Sequence, residues 1–279
     1  MNEQPTTSII IPVHNCRALT EACLQSLFEC TDGSYELILI DDASEPETAE
    51  WLRGPFPGSV KLLRNEERRS YAVNNNAGAR EASGRYLCLL NNDTLLTPGW
   101  LPPLIRLLET EPDIGVLGNK HLFPDTHTLH HAGMAFDEEG RPWHIHPGSD
   151  PDLPAVNRVR DLQCVTFACV LIPKAVYEAL NGLDEAYRNG YEDCDFCLRA
   201  RDRGLRVVYT PESVIYHYGQ STPGRKDGDE VNARLFASRW QDRVQHDLRS
   251  IQVQDARTNG LRSCRSIGSL LQGWLGRKA

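Results

Sequence analysis

Gly84-Arg85-Tyr86-Leu87-Cys88-Leu89-Leu90-Asn91-Asn92-Asp93-Thr94 is the stretch that decides the fold. From Tyr86 to Leu90 apolar side chains follow one another without alternation, so both faces of the strand they form should be buried. That is the pattern of a central strand in a parallel sheet. The run then passes directly into Asn91, Asn92 and Asp93. Open α/β sheets bind their ligands beyond the carboxyl ends of the strands. Asp93 is therefore expected to hold a divalent metal there, although an isolated Asn-Asn-Asp-Thr is more often a turn or a cap.

Working outward, Ser8-Ile9-Ile10-Ile11-Pro12-Val13 and Tyr35-Glu36-Leu37-Ile38-Leu39-Ile40 are two more buried strands, and Val60-Lys61-Leu62-Leu63 is a third. The second ends in Asp41-Asp42-Ala43-Ser44, acidic at its carboxyl end like the first stretch. Helical spacing of apolar residues fills 19–28, and shorter helices are expected over 46–53, 70–83 and from Pro98 to Leu108. Alternating strands and helices mean parallel βαβ units, so the fold class is α/β. Strands are expected at 114–118, 165–172 and 206–209, and 215–218 follows closely. A helix is expected at 174–180, another runs through Asp193 to Arg203, and 231–251 reads as a single helix. The stretch 120–157, rich in His, Pro, Gly and Asp, breaks the pattern, and long irregular stretches of this kind are usually functional or mobile.

Composition narrows the function. A net charge of −8 argues against wholesale binding of nucleic acid. No apolar run reaches the length of a membrane span, and the polar 1–7 segment is not a signal peptide. Nine scattered cysteines suggest reduced, buried thiols of a cytoplasmic protein; Cys194 and Cys197 are expected to be two thiols on one helix. Neither G-x-G-x-x-G after the first strand nor G-x-x-x-x-G-K-[ST] is present, so dinucleotide dehydrogenases and P-loop NTPases lose support. Carboxylates stand at the strand ends instead. They repel a diphosphate unless a cation such as Mg²⁺ or Mn²⁺ bridges them.

Four segments taken in order resemble the family 2 glycosyltransferases, which have the GT-A fold. They are Ser8-Ile-Ile-Ile-Pro-Val-His-Asn15, Leu39-Ile-Asp-Asp-Ala-Ser44, Leu89-Leu-Asn-Asn-Asp-Thr94, and Gly182-Leu-Asp-Glu185 through Tyr191-Glu-Asp-Cys-Asp-Phe-Cys-Leu-Arg199 with Gly204 and His217. The last is similar to the rhamnosyltransferase and galactofuranosyltransferase branch. The resemblance implies a Rossmann-like, mixed but mainly parallel sheet flanked by helices over 1–222, followed by a short C-terminal helical extension over 223–279. It also implies roles. Asp42 would bond the uracil or thymine of the donor, with Pro12 and Asn15 lining the base and ribose pocket. Asn76 would face the nucleotide and Asn92 the ribose. Asp93 would coordinate Mn²⁺ or Mg²⁺, with His217 as a further ligand. Asp193 would be the general base, and Glu192 would help to seat the acceptor. Asn91 stands where the family's D-x-D motif begins with Asp, and an amide oxygen is the weaker metal ligand.

Each role has a plainer competitor. Glu192, Asp193 and Asp195 crowd a helix N-terminus, where the dipole stabilises any acid. Asp195 can pair with Arg199 at i, i+4 and is expected to be structural. Of Asp41 and Asp42, one should be structural and one functional. His217 alone would more often be a packed histidine. His121, His127, His130, His131, His144 and His146 match no closed zinc spacing and no cysteine joins them, so they are expected on acceptor-side loops. Trp143 there offers a stacking face for a sugar. The basic tail with Trp274 could rest on an anionic membrane or simply pack.

The expected activity is direct displacement at an anomeric carbon, an inverting, metal-dependent glycosyl transfer from a UDP- or dTDP-sugar to a saccharide or lipid-linked acceptor. It would serve bacterial surface polysaccharide assembly in the cytoplasm, at the inner face of the membrane. The alternative is a non-catalytic nucleotide-sugar-binding scaffold of a synthase complex.

Overall fold

The computed structural model describes residues 5–219 and 229–260. Strands β1 (Thr7–Val13), β2 (Tyr35–Asp42), β3 (Val60–Asn65) and β4 (Tyr86–Leu90) alternate with helices α1 (Arg17–Cys30), α2 (Pro46–Trp51) and α3 (Tyr71–Glu81). β1 pairs in parallel with β2 on one side and β4 on the other, and β2 pairs in parallel with β3. The connection from β1 to β2 and the arrival of β4 thus lie on opposite sides of β1. The crevice at such a reversal is where a doubly wound sheet takes its ligand.

The second half follows with β5 (Thr94–Leu96), α4 (Leu101–Thr110), β6 (Ile114–Leu122), β7 (Leu129–His131), β8 (Met134–Phe136), β9 (Pro142–His144), β10 (Arg160–Leu162) and β11 (Cys169–Pro173). Then come α5 (Lys174–Ala179), α6 (Glu192–Asp202), β12 (Arg206–His217), α7 (Asp229–Trp240) and α8 (Leu248–Thr258). The main sheet runs β10-β12-β6-β11-β4-β1-β2-β3, with β5 added to β12 and β7 to β6, while β8 and β9 form a separate hairpin. β11 is antiparallel to both neighbours, and β12 is parallel to β6.

All five residues of β4 are buried, as its unbroken apolar run requires. Side chains alternate across the sheet with period two. Ile10, Ile38, Ile40, Leu87 and Leu89 face one core, with Phe196 of α6 and Phe236 and Trp240 of α7. Ile9, Ile11, Leu37, Leu39, Cys88 and Leu90 face the other, with Leu24 and Leu27 of α1 and Leu104 and Leu108 of α4. Each such side chain contributes about 1.5–3 kcal/mol by leaving water.

Three elements differ from expectation. The strand expected at 165–172 starts only at Cys169, because Thr166, Phe167 and Ala168 line a cleft and Ala168 spends its carbonyl on the Asn91 amide at 2.8 Å. The pieces expected at 206–209 and 215–218 are one strand, β12, whose register slips between Thr210 and Val214 around Pro211. The single helix expected at 231–251 is two. Asp247 turns the chain between them, and its carboxylate accepts from Phe136 N at 3.0 Å and Gln163 Nε2 at 2.8 Å. Residues 220–228 and 261–279, with the basic tail and Trp274, lie outside the described residues. Among the described residues no helix is long and apolar enough to cross a membrane.

Candidate active site

The carboxyl ends of β1, β2 and β4 open onto one cleft. Pro12, His14, Asp42, Asn91, Asn92 and Asp93 line it from the sheet, and Glu192 and Asp193 from the first turn of α6. Asp42 is the last residue of β2, and its Oδ1 accepts from Asn65 Nδ2 and from the Arg69 amide, each at 2.8 Å. Its carboxylate is thus oriented before any ligand arrives. Asp41, fully buried beside it, forms an ion pair with Arg64 and accepts from the Ser44 amide at 2.9 Å. The two neighbours are therefore divided: Asp41 holds the turn together and Asp42 faces the cleft.

Asp93 closes the turn after β4. Thr94 Oγ1 donates back to the Asn91 carbonyl at 2.8 Å, and Asn92 Nδ2 donates to Thr20 Oγ1 at 2.8 Å. β5 then pairs with the end of β12, setting Thr94 opposite His217. That register brings His217 Nε2 to 3.2 Å from Asp93 Oδ1, with both residues buried. A carboxylate oxygen facing an imidazole nitrogen fits Mn²⁺, whereas Mg²⁺ prefers oxygen ligands and several waters.

Across the cleft, α6 begins from a strained corner. Tyr191 has φ 72°, a left-handed conformation rare for a bulky residue, directly after Gly190 at φ 127°. Such strain costs of order 1–3 kcal/mol and clusters at functional sites. Here Tyr191 packs on Phe236 of α7, with ring centroids 5.1 Å apart. The corner turns Glu192 and Asp193 into the cleft, where the Gly190 amide donates to Glu192 and the Cys194 amide to Asp193 Oδ1 at 2.8 Å. Tyr71, on the cleft floor, donates to the Phe167 carbonyl at 2.6 Å. Burial, reinforced by the charges of Glu192 and Asp193, holds this phenol protonated well above its usual range. Asp195, 1% exposed, points the other way and accepts from Arg199 Nε at 2.7 Å and Trp240 Nε1 at 2.8 Å.

The remaining expected residues stand apart from this lining. Asn15 ties two loops together: its amide donates to Ser44 Oγ at 2.9 Å and its Oδ1 accepts from the Glu45 amide at 2.8 Å. Asn76, expected to face a nucleotide, does not line the cleft. Its Nδ2 donates to the Leu183 carbonyl and Glu185, and its Oδ1 accepts from Tyr177 Oη and the Leu183 amide, all within 2.9 Å. It anchors α3 to the loop before α6, and Asn74 takes the place in the cleft expected of it. Trp143 sits on the β8–β9 hairpin and donates to Asp137 Oδ2 at 2.7 Å. The cleft also contains Arg68, Arg69 and Asn189, which the sequence reading passed over. Only the charge run ahead of the Ser70 cap marked the two arginines.

The histidines expected on acceptor-side loops are mostly gathered in one place, on strands of the sheet and the β8–β9 hairpin. The rings of His121, His130, His131, His144 and His217 stack and tilt against one another, with neighbouring centroids 4.7–5.7 Å apart. β6, β7, β9 and the end of β12 bring them together. Burial first, then the neighbouring imidazoles, pushes His121 and His131 well below the usual histidine range; a nearby Cys169 carbonyl opposes this at His121. His146 belongs elsewhere, 2.9 Å from the buried Asp255, which also pairs with Arg158 and Arg160. His127 packs on Tyr216 at the surface.

Comparison with known proteins converges on one family. Residues 8–165 match the profile of Glycosyl transferase family 2. The O-antigen biosynthesis protein RfbC of Myxococcus xanthus is 31% identical over 231 residues, covering 80% of this chain and 18% of RfbC. An uncharacterized protein, y4gI, of Sinorhizobium fredii is 32% identical over 246 residues, covering 84% of this chain and 27% of its own length. The chain thus spans less than a third of either relative. The crystal structure of GalNAc-T7 with UDP, GalNAc and Mn²⁺ superposes with a TM-score of 0.64 at 16% identity, covering 96% of this chain and 56% of that one. With the profile spanning β1 to the start of β11's approach and the sheet shared with such a structure, the chain belongs to glycosyl transferase family 2 and has the GT-A fold.

Proposed function

We propose that the protein is an inverting, metal-dependent glycosyltransferase that uses a UDP- or dTDP-sugar, with a saccharide or lipid-linked hydroxyl as acceptor. The observation that carries this reading is the convergence of Asp42, Asp93 and Asp193 on a single cleft from three distant parts of the chain. Asp42 binds the pyrimidine, Pro12 lines the base, and Asn92 meets the ribose. Asp93 and His217 hold Mn²⁺, which when bound balances charge on the departing diphosphate. Arg68 and Arg69, at the same mouth, add positive charge for the phosphates. Asp193 accepts the proton of the attacking hydroxyl as the new glycosidic bond forms and the bond to the diphosphate oxygen breaks. Glu192, fixed by the Gly190 amide, seats the acceptor beside it. Likeness to RfbC, an O-antigen biosynthesis protein, supports a place in surface polysaccharide assembly; a cytoplasmic seat at the membrane face is part of the proposal and has no support from that likeness.

The test is turnover of a panel of sugar nucleotides with Mn²⁺, wild type against Asp193→Asn. Turnover confined to the wild type is expected. Equal turnover rejects Asp193 as the base, and nucleotide binding without turnover of any donor points to a scaffold.

A further inference from the structure

The histidine cluster behind Asp93 is more than packing. One nitrogen from each of His121, His130 and His217 lies within 4.8 Å of the other two. Three imidazoles so close, from β6, β7 and the end of β12, are a ligand set suited to zinc and its neighbours rather than to Mg²⁺.

At His121, hydrogen bonds fix which nitrogen carries the lone pair. Asn119 Nδ2 donates to Ser213 Oγ at 3.1 Å, which leaves Asn119 Oδ1 as the acceptor 2.8 Å from His121 Nε2. His121 therefore carries its proton on Nε2. Its fully buried Nδ1 makes no hydrogen bond among the described residues and is the bare nitrogen. A ligating histidine nearly always donates its other N–H to an oxygen acceptor in this way. His217 is held by proximity to a carboxylate rather than by such a hydrogen bond. Its Nδ1 lies 3.1 Å from His130 Nδ1, while its Nε2 faces the Asp93 carboxylate at 3.2 Å. By contrast, His131 Nε2 accepts from the Gly133 amide at 3.2 Å, so its Nδ1 proton goes to His144 at 2.8 Å and no lone pair is left over. Zn–N bonds of about 2.0–2.1 Å place two ligands of a tetrahedron about 3.3 Å apart. The His130–His217 pair is near that spacing, and a ligating His121 would have to close a separation of no more than 4.8 Å.

We propose that His121, His130 and His217 form a second cation site, for Zn²⁺ or a similar transition metal, distinct from the donor-metal position at Asp93. A neutral imidazole has one lone pair. With His217 Nδ1 on zinc, its Nε2 bears hydrogen and bonds Asp93, so His217 is withdrawn from the donor metal. Zinc binding itself is independent of the donor reading; the sharing of His217 rests on it.

The experiment is zinc titration of tag-free protein without nucleotide, followed by X-ray absorption at the zinc edge. One equivalent, with imidazole nitrogens at about 2.0–2.1 Å, is expected. Asp93→Asn should keep zinc, whereas half-buried His130→Asn should weaken it by roughly tenfold or more. His130→Asn must match the melting temperature of wild type in chelator; should it fail to, the absorption spectrum of the wild type decides alone. Absence of binding, an oxygen-only shell, or loss of zinc in Asp93→Asn with retention in His130→Asn each overturns the site. Mn²⁺ with UDP should weaken zinc affinity in the wild type. Unchanged affinity, in a protein that binds Mn²⁺ and UDP, would overturn the sharing of His217, and failure to bind UDP at all would count against the donor reading instead.

Discussion

Asp193 and Asp195 lie two residues apart in the first turn of α6, yet their surroundings give them opposite work. Asp193 is half-buried in the cleft, where it accepts from the Cys194 amide, whereas Asp195 is buried against Arg199 and Trp240. Asp193→Asn should leave stability within about 0.5 kcal/mol, as a change that empties no packed contact does. It should lower turnover by about a hundred- to ten-thousand-fold, the range of a lost general base. Asp195→Ala should do the reverse. Removing one partner of a buried pair strands the other, at a cost of about 3 kcal/mol. Melting temperature and turnover measured on both variants separate these outcomes. Sequence spacing revealed the Asp195–Arg199 pair, since i, i+4 is a local relation. It could not reveal that Asn76 spends its whole amide on residues more than a hundred positions away.

At the scale of elements, the join of β1, β2, β3 and β4 at their amino ends turns on Glu36. Its carboxylate accepts from Ser8 Oγ at 2.7 Å and from Ser83 through both amide and hydroxyl at 2.6 Å, and pairs with Lys61 at 3.1 Å. Burial alone would raise the carboxyl, but these bonds outweigh it and bring it from 4.5 to about 2. A carboxyl whose folded value is depressed stabilises the fold above its unfolded value, and that contribution is lost as pH falls from about 4.5 towards 2. Glu36→Gln should remove roughly 2 kcal/mol at pH 7 and flatten that part of the acid-denaturation curve. Helix α3 gives a second prediction. In an exposed helix Gly78→Ala would gain about 1 kcal/mol. Here the new Cβ would stand 2.5 Å from Ile10 Cγ2 and 3.2 Å from Ile40 Cδ1. Overpacking of about 1–3 kcal/mol wins, so the urea midpoint should fall. The elements themselves were mostly legible: β1, β2 and β4 are short apolar runs with polar ends, and no tertiary knowledge is needed to read them. β7, β8, β9 and β10 have three residues each, too short to show a period, and pairing across the sheet defines them.

For the whole molecule, the order of strands does the organising. Placing β4 beside β1 and β11 beside β4 puts three acidic segments around one crevice, and pairing β5 with the end of β12 carries His217 to Asp93. Acids at strand ends hinted at that crevice in the sequence, because carboxylates there have no structural need to recur. The histidine cluster was hidden, since its members are scattered from 121 to 217 and meet only through the β6–β7 and β6–β12 ladders. The central claim is that the crevice binds a pyrimidine diphosphate through a cation at Asp93. Calorimetric titration of UDP into the wild type and Asp93→Asn, each with Mn²⁺ and with chelator, tests it most directly. The account predicts binding that needs Mn²⁺ and is at least about tenfold weaker in the variant. Equal affinity in all four titrations would contradict it.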